Sequence, residues 1–273
     1  MAVAPRPAAT VVLLRDGPDG LEAYLQLRPS GLGFAGGLWV FPGGRVDTAD
    51  RDPAVDRSWA GPSPAQWAER LGLAVDDARG HVVAACRETL EEAGLLLATP
   101  APGAAELAEG RAQLLGGSDE LRASHRPAGS GGLAGLLARL GVRLDTGRLR
   151  YWAWWVTPEE EPRRYDTRFF LADAPAGAAV TAHLAEAERE RWVPPEEAAA
   201  DLGLPMLPPT RYTLRDLAAC TSVDEALAAA AGRRVERILP VLDGAELVMP
   251  WRERYPVPVP QSAAGGTTRR SPP

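Results

Sequence analysis

With 273 residues, the chain is long enough for one domain of generous size, or for one domain with substantial insertions, and it can bury a real core. Its formal net charge of −6 and its pI near 5.3 argue against a general nucleic-acid surface and an anionic-membrane surface, but a small charged substrate can still bind through local arginines. The two cysteines, Cys86 and Cys220, are too few for a disulfide framework or a zinc site.

Composition and the start of the chain also indicate where the protein works. The N-terminus lacks the basic and then apolar pattern of a signal peptide, and no apolar run is long enough to span a membrane. Lysine is absent, and the excess of Ala, Gly, Pro and Arg is typical of a GC-rich bacterial genome. We therefore expect a cytoplasmic, bacterial protein with no nucleic-acid or membrane partner.

The N-terminal residues predict a β-hairpin followed by a glycine bend. Residues 8–14 form a β-branched and aliphatic run, and after a turn at 17–20 the residues 22–28 alternate between apolar and polar. A glycine-rich stretch at 29–37 either connects strands or contributes to a substrate rim. The next apolar run ends in Phe41-Pro42-Gly43-Gly44, where the glycines allow close backbone approach, so that a carbonyl can face a ligand.

An acidic helix is predicted over residues 81–96. At about 100° per residue, Glu88, Glu91 and Glu92 fall within an arc of roughly 100°. The opposite face is apolar and includes Cys86, which we expect to be a small core residue. Glu88 repels the other two carboxylates at i+3 and i+4, so this face is costly as plain structure.

The end of this helix makes the cost larger. Gly94 is a natural residue to end a helix at Ala93, which puts Glu91 and Glu92 in the last turn, where the macrodipole disfavours negative charge. Arg87 can reach Glu91, but one guanidinium cannot neutralise three carboxylates. A hard divalent cation with oxygen ligands can do so. The alternative is a solvated acidic helix end.

Two insertions surround this helix. The first, residues 45–80, is rich in Asp, Arg and Pro and contains a predicted short helix at Pro64–Leu71; we interpret its aspartates as solvated loop residues rather than metal ligands. The second, residues 97–147, is built of Ala-rich helical pieces broken by glycines. It either covers a pocket or mediates a homodimer.

The C-terminal half alternates strands and helices. A strand from residue 149 carries large aromatics, which are either core or an adenine-stacking surface. Arg163 and Arg164 precede a strand at 167–171 and are either phosphate contacts or surface residues. Predicted helices at 194–202, 211–219 and 222–231 are followed by a hairpin of 234–242 with 246–249.

Residues 87–95 together with Phe41-Pro42-Gly43-Gly44 resemble the Nudix hydrolases, whose box reads G-x5-E-x7-R-E-U-x-E-E-x-G-U, with U aliphatic. Gly44 resembles the opening glycine of the box, and Arg87, Glu88, Glu91 and Glu92 match its second half. A long insertion separates the two parts, so the first glutamate has no secure counterpart, and Asp47 is nearest in sequence. The place of the insertion is similar to the branch that contains the peroxisomal coenzyme A diphosphatases.

The resemblance implies a fold and a set of site residues. The fold is an α/β class Nudix α/β/α sandwich with a mixed central β-sheet and helical insertions, in one domain over 1–254 with a disordered tail at 255–273. Mg²⁺ or Mn²⁺ is held by the Gly43 carbonyl and the three helix glutamates. The remaining implied site residues are Glu88, Glu92, Arg87 and Glu186 for catalysis, with Glu186 matching a family glutamate that precedes a tryptophan, and Gly37, Gly44, Arg163 and Arg164 for substrate binding.

The activity implied is hydrolysis of the diphosphate linkage in a nucleoside diphosphate derivative, with coenzyme A or acyl-coenzyme A as the first choice. The motif of coenzyme A-cleaving Nudix enzymes has an arginine where this chain has Gly33. Another dinucleotide, such as ADP-ribose or NADH, is therefore an alternative substrate. Two different kinds of protein also fit these residues: a catalytically silent nucleotide-binding Nudix regulator, and an α/β interaction protein with an acidic helix.

Overall fold

The computed structural model describes residues 3–32, 35–121, 132–175, 180–182 and 187–257, with residues 116–121 as backbone only. The strands are β1 (Arg6–Gly17), β2 (Gly20–Leu27), β3 (Trp39–Val40), β4 (Gly43–Arg45), β5 (Trp59–Ala60), β6 (Ala98–Thr99), β7 (Arg143–Asp145), β8 (Arg150–Val156), β9 (Tyr165–Asp173), β10 (Arg189–Val193), β11 (Arg237–Ile238), β12 (Val241–Asp243), β13 (Glu246–Val248) and β14 (Arg254–Pro256). The helices are α1 (Pro64–Leu71), α2 (Val75–Ala93), α3 (Ala104–Leu121), α4 (Gly132–Leu140), α5 (Pro195–Ala200), α6 (Pro208–Leu217) and α7 (Val223–Ala231).

A mixed β-sheet forms the centre of the molecule. Its strand order is β10-β2-β1-β9-β8-β11, with β3 beside β2 and β4 beside β1. The pairs β1 with β9 and β8 with β11 are parallel, and the other pairs are antiparallel. Both β2 and β4 pair with β1 along the same side, because β1 pairs with β2 near Leu14 and with β4 near Thr10.

Apolar cores lie on both faces of this sheet. One core contains α2 together with α1, α4 and side chains such as Val11, Leu13 and Phe170. The other contains α5, α6, α7 and alternate residues of the same strands, such as Val12 and Leu171. This alternation is the strand period of two, and it confirms the predicted α/β/α sandwich.

The first insertion is part of the core rather than a loop. Its helix α1 begins and ends where the sequence predicts, with Ser63 as N-cap and Gly72 in the left-handed conformation at the C-terminus. Trp67 of α1 is fully buried and packs edge-on against Phe170 of β9, with ring centroids 5.8 Å apart. The excursion between the two halves of the box therefore contributes to the layer that supports α2.

Several predicted boundaries differ from the structure. The acidic helix begins at Val75 rather than at residue 81, because Asp76 and Asp77 suit a first helical turn, and it ends at Ala93 with Gly94 at a φ of 70°, as predicted. The second insertion is not only helical, since β6 and β7 join β5 in a small sheet. The predicted C-terminal hairpin is shorter, because β11 pairs with β8 and only β12 and β13 form the hairpin.

The remaining predictions on organisation have mixed outcomes. Trp152 and Trp155 of the aromatic strand are buried in the core, which favours the core interpretation for both. Strand β14 spans the position at which the predicted domain ends, and residues 258–273 lie outside the described residues, so the disordered tail stays a prediction. Among the described residues no helix has the length and apolar character needed to cross a bilayer.

Candidate active site

The C-terminal end of α2 is fixed by side chains from two other elements. Arg111 of α3 donates to the carbonyl oxygens of Glu91 and Glu92, at 3.1 and 3.0 Å. Gln26 of β2 also donates to the Glu92 carbonyl, at 2.9 Å. These bonds satisfy carbonyls that the helix itself leaves without partners, and the Arg111 cation offsets the negative end of the dipole. The compensating cation expected at this helix end therefore includes an arginine from the second insertion.

Arg87 is the hub of the carboxylate cluster. Its Nε and Nη2 donate to the two oxygens of Asp50 at 2.9 and 3.0 Å, and Nη2 donates also to the Arg45 carbonyl at 2.9 Å. Its Nη1 donates to Glu88 and to Glu91, both at 2.8 Å. A guanidinium has five N–H donors, so these five bonds use all of them. Arg87 therefore positions carboxylates and has no donor left for a substrate.

Asp50 is the buried acid of the first insertion that contacts Arg87. It lies in a 3₁₀ turn over Thr48–Arg51, its side chain is 3% exposed, and it makes a bidentate pair with Arg87. Asp47, the nearest acid in sequence, is 57% exposed and 3.9 Å from the same guanidinium. The interpretation of the insertion aspartates as solvated loop residues is wrong for Asp50. The spacing offers the missed signal, because Asp50 follows Gly44 at the G-x5-E interval of the box.

Glu88 lies directly against the glycine bend. A Cβ on Gly44 would overlap the Glu88 carboxylate, so a glycine is needed there to admit it. Burial, with the repulsion of Glu91 added, raises the pKa of Glu88 to about 7 against the opposing effect of Arg87. A carboxylate in this position gains from a nearby cation that favours its ionised form.

Glu92 links the helix to Gly43, the residue before Gly44 in the bend. Its Oε2 accepts a hydrogen bond from the Gly43 backbone N–H at 2.8 Å, and its side chain is 5% exposed. Its Oε1 lies 3.9 Å from Nη1 of Arg28, at the end of β2. The sequence prediction that the acidic helix face and the glycine bend lie together is thus matched by the contacts of Glu88 and Glu92.

The donor set of this site fits a hard divalent cation. Four carboxylates are largely buried here, those of Asp50, Glu88 and Glu91 on Arg87 and that of Glu92 on the Gly43 N–H, and carboxylate oxygens are the ligands that Mg²⁺ and Mn²⁺ prefer. Among the described residues, no three His, Cys, Asp or Glu side chains converge as a ready metal cage. The contacts explain this arrangement, since Arg87 draws Glu88 and Glu91 to itself while Glu92 is turned to the Gly43 N–H.

The predicted substrate contacts are dispersed. Gly37 is buried, has a φ of 71°, and donates its N–H to the Arg28 carbonyl at 3.0 Å, close to the site. Arg164 is buried, and its guanidinium bonds the carbonyls of Thr157 and Val3, so it ties β9 to the N-terminal residues. Arg163 is exposed beside it. Glu186 lies outside the described residues, so its proposed role as a base stays a prediction.

Sequence reasoning missed three residues of the site. Asp50 was open to detection through the spacing of the box. Arg111 and Gln26 carry no local signal, because they reach α2 from elements that only the tertiary fold brings near. A lone arginine in an Ala-rich helix and a polar residue in an alternating strand are typical of solvent-facing positions.

Comparisons with known proteins agree on the type of domain. A family model described as the NUDT19 Nudix domain matches residues 6–217. The chain is 29% identical over 280 residues to the acyl-coenzyme A diphosphatase NUDT19 of Homo sapiens, covering 87% of this chain and 73% of that protein. It is 33% identical over 196 residues to the protein of the same name from Gallus gallus, covering 57% of this chain and 49% of that protein. A crystal structure of a NUDIX hydrolase from Alicyclobacillus acidocaldarius has a TM-score of 0.65 and 29% identity, covering 86% of this chain and 99% of that chain.

Proposed function

The chain belongs to the Nudix hydrolases, with a Nudix domain of the NUDT19 family, and from this premise we propose that it is a Mg²⁺- or Mn²⁺-dependent diphosphatase of coenzyme A or acyl-coenzyme A. The observation that carries the proposal is the buried cluster of Glu88, Glu91 and Glu92 against the Gly43-Gly44 bend. The substrate class is supported by the names of the two NUDT19 relatives. A homodimer and a cytoplasmic location stay predictions.

Hydrolysis of a phosphoanhydride requires a water placed in line with phosphorus and neutralisation of charge on the diphosphate oxygens. A divalent cation, when bound, clamps such oxygens and lowers the pKa of a coordinated water. In this chain Glu88, Glu91 and Glu92 are the residues that would hold it, together with the Gly43 carbonyl. On coenzyme A, addition of water across the P–O–P bridge gives adenosine 3′,5′-bisphosphate and phosphopantetheine.

The protein residues have separate tasks in this proposal. Arg87 and Asp50 hold the carboxylates in register and contact no substrate, because the donors of Arg87 are all used. Glu92 is oriented by the Gly43 N–H, and Gly44 admits Glu88 to the bend. The proton of the attacking water goes to Glu186 or to one of the helix glutamates.

A substrate screen tests the proposal. The purified protein is incubated with Mg²⁺ or Mn²⁺ and with coenzyme A, acyl-coenzyme A, ADP-ribose, NADH or diadenosine polyphosphates, and products are separated by chromatography. We expect coenzyme A or its acyl form to be cleaved fastest, and Glu92→Gln to lose at least about 100-fold in rate, since a charge-stabilising group is removed. Glu69→Gln, an exposed glutamate of α1, is the matched control and keeps full activity.

Two results of the screen would contradict specific parts of the proposal. Preferential cleavage of ADP-ribose or of NADH would contradict the coenzyme A assignment but leave the diphosphatase reaction standing. The glycine at position 33, where the coenzyme A motif has an arginine, favours this result. No turnover of any compound, with equal nucleotide binding by the wild type and Glu92→Gln, would identify a silent binding module.

A further inference from the structure

Arg28 differs from the other arginines at the carboxylate cluster. Arg87 uses all five donors, and Arg111 bonds two α2 carbonyls and Thr181. The Arg28 guanidinium makes no hydrogen bond among the described residues, and its Nε is buried without a partner. A buried donor without a partner costs free energy, so its retention at this place calls for a ligand.

The backbone of Arg28 is held firmly at the edge of the site. Its N–H donates to the Leu38 carbonyl and its carbonyl accepts from the Gly37 N–H, both at 3.0 Å. The left-handed conformation of Gly37 lets the chain turn back at this point and run on into the glycine bend. Gly37, predicted as a substrate contact, therefore helps to fix the backbone of Arg28.

The Arg28 side chain approaches Glu92, a member of the carboxylate cluster. Its Nη1 lies 3.9 Å from Glu92 Oε1, which is too long for a hydrogen bond but close enough for attraction between the charges. The second oxygen of Glu92 accepts from the Gly43 N–H, so Arg28 lies beside the carboxylate that bridges the helix and the bend. Its side chain is 24% exposed, which leaves it accessible to a bound molecule.

We propose that Arg28 binds a phosphate oxygen of the substrate diphosphate. A guanidinium can make two parallel hydrogen bonds to phosphate, and Arg28 has the donors to do so. This inference rests on the proposed function, because it names the group that receives the diphosphate in the same site. Arg28 touches the substrate, whereas Arg87 and Arg111 act through other residues.

Binding of a non-hydrolysable diphosphate tests this assignment. Isothermal titration in the presence of Mn²⁺ measures the affinity for α,β-methylene-ADP, and a second titration measures the affinity for Mn²⁺ alone. We expect Arg28→Gln to weaken nucleotide binding about 10- to 100-fold, since a charged hydrogen bond is lost, and to leave Mn²⁺ affinity unchanged. Arg28→Lys keeps the positive charge but loses the paired donors of the guanidinium, so its nucleotide affinity should lie between those of the wild type and Arg28→Gln.

The control is Arg234→Gln, which changes an arginine that is 89% exposed in a different part of the chain and should bind as the wild type does. If Arg28→Gln binds α,β-methylene-ADP as tightly as the wild type while the wild type hydrolyses a diphosphate, the inference is wrong and the proposed function stands. If Mn²⁺ affinity falls as much as nucleotide affinity, Arg28 only positions Glu92, and the inference is wrong. A wild type that neither hydrolyses nor binds a diphosphate contradicts both proposals.

Discussion

The pair of Arg87 and Asp50 shows how a single buried ion pair organises the site. Both side chains are withdrawn from water, and each satisfies donors or acceptors of the other in a bidentate contact. Such a pair adds less to stability than its short distances suggest, because both charges lose hydration. Removing one partner costs more, since Asp50 without Arg87 is a buried charge without a cation, and Arg87 without Asp50 keeps only the Glu88 and Glu91 carboxylates.

The two aspartates of the turn provide a direct test of this reasoning. We expect Asp50→Asn to lower the free energy of unfolding by about 3 kcal/mol, because Arg87 loses its most buried carboxylate, and its Nε and Nη2 then face a neutral amide. Asp47→Asn, at a position that is exposed and 3.9 Å from the Arg87 guanidinium, should change the free energy of unfolding by less than about 0.5 kcal/mol. Urea denaturation followed by fluorescence measures both, and equal effects would show that Asp50 is not the structural partner of Arg87.

Substitution of the two neighbouring glycines of the bend should have different effects, one on activity and one on stability. A Cβ on Gly44 would displace the Glu88 carboxylate, so Gly44→Ala should lose more than about tenfold in kcat/KM and little stability. A Cβ on Gly43 would lie 2.5 Å from the Ala9 carbonyl oxygen, which is backbone and cannot move aside. Gly43→Ala should therefore cost about 1–3 kcal/mol of unfolding free energy. Thermal denaturation and steady-state kinetics on both variants check the contrast, which would be absent if both acted through the same group.

At the scale of elements, α2 is a helix whose proposed metal-binding glutamates lie at its electrostatically unfavourable end. Glu91 and Glu92 occupy the last turn before Gly94, and their carbonyls are satisfied from outside the helix by Arg111 and Gln26. The second insertion thus contributes to the site through α3 without supplying a carboxylate. This arrangement fixes the last turn of α2, from which two of the three glutamates project.

Loss of this external cap should loosen the last turn. We expect Arg111→Gln to lower the free energy of unfolding by about 1–2 kcal/mol, because charged hydrogen bonds to two carbonyls are removed. Arg139→Gln, at an exposed position of α4, is the control and should have no measurable effect. Amide hydrogen exchange at Gly94, whose N–H bonds the Leu90 carbonyl, reports the loosening directly. Unchanged exchange in Arg111→Gln would contradict the capping role.

Local patterns predicted most elements but not their contacts. The alternation of residues 22–28, the capping residues of α1 and the glycine after Ala93 each act within one or two turns of chain, so the sequence alone reveals them. The partner of Arg87 and the cap of α2 depend on which segments meet in three dimensions. Arg163 and Arg164 illustrate the converse, since adjacent arginines before a strand suit phosphate, yet Arg164 bonds backbone carbonyls instead.

At the scale of the whole molecule, the site is built from both ends of a long stretch of chain and is supported by the sheet. The bend leads into β4, which pairs with β1, and α2 packs on one face of the same sheet. Concentrated negative charge here weakens the folded state unless a cation is present. Metal binding should therefore appear as a change in global stability.

Thermal unfolding with and without Mn²⁺ checks this expectation. A ligand at 100 times its Kd stabilises the native state by about 2.7 kcal/mol, so Mn²⁺ should raise the Tm and EDTA should reverse the change. The rise should be much smaller in Glu91→Gln and unchanged in Glu69→Gln, which is exposed on α1. An equal increase of the Tm in both variants would show that Mn²⁺ binds at a site other than the Glu91 carboxylate.

The contact between Asp50 and Arg87 also has a consequence for the order in which the protein folds. Residues 51–86 separate the two partners, and the entropy of closing such a segment grows only slowly, by about 0.6 kcal/mol for each doubling of its length. This slow growth explains how the box tolerates so long an interruption. In the folded protein the same segment includes α1, whose Trp67 is buried against Phe170. We expect refolding protein to regain its secondary structure before its activity, because the catalytic geometry waits for the two ends of this excursion to meet.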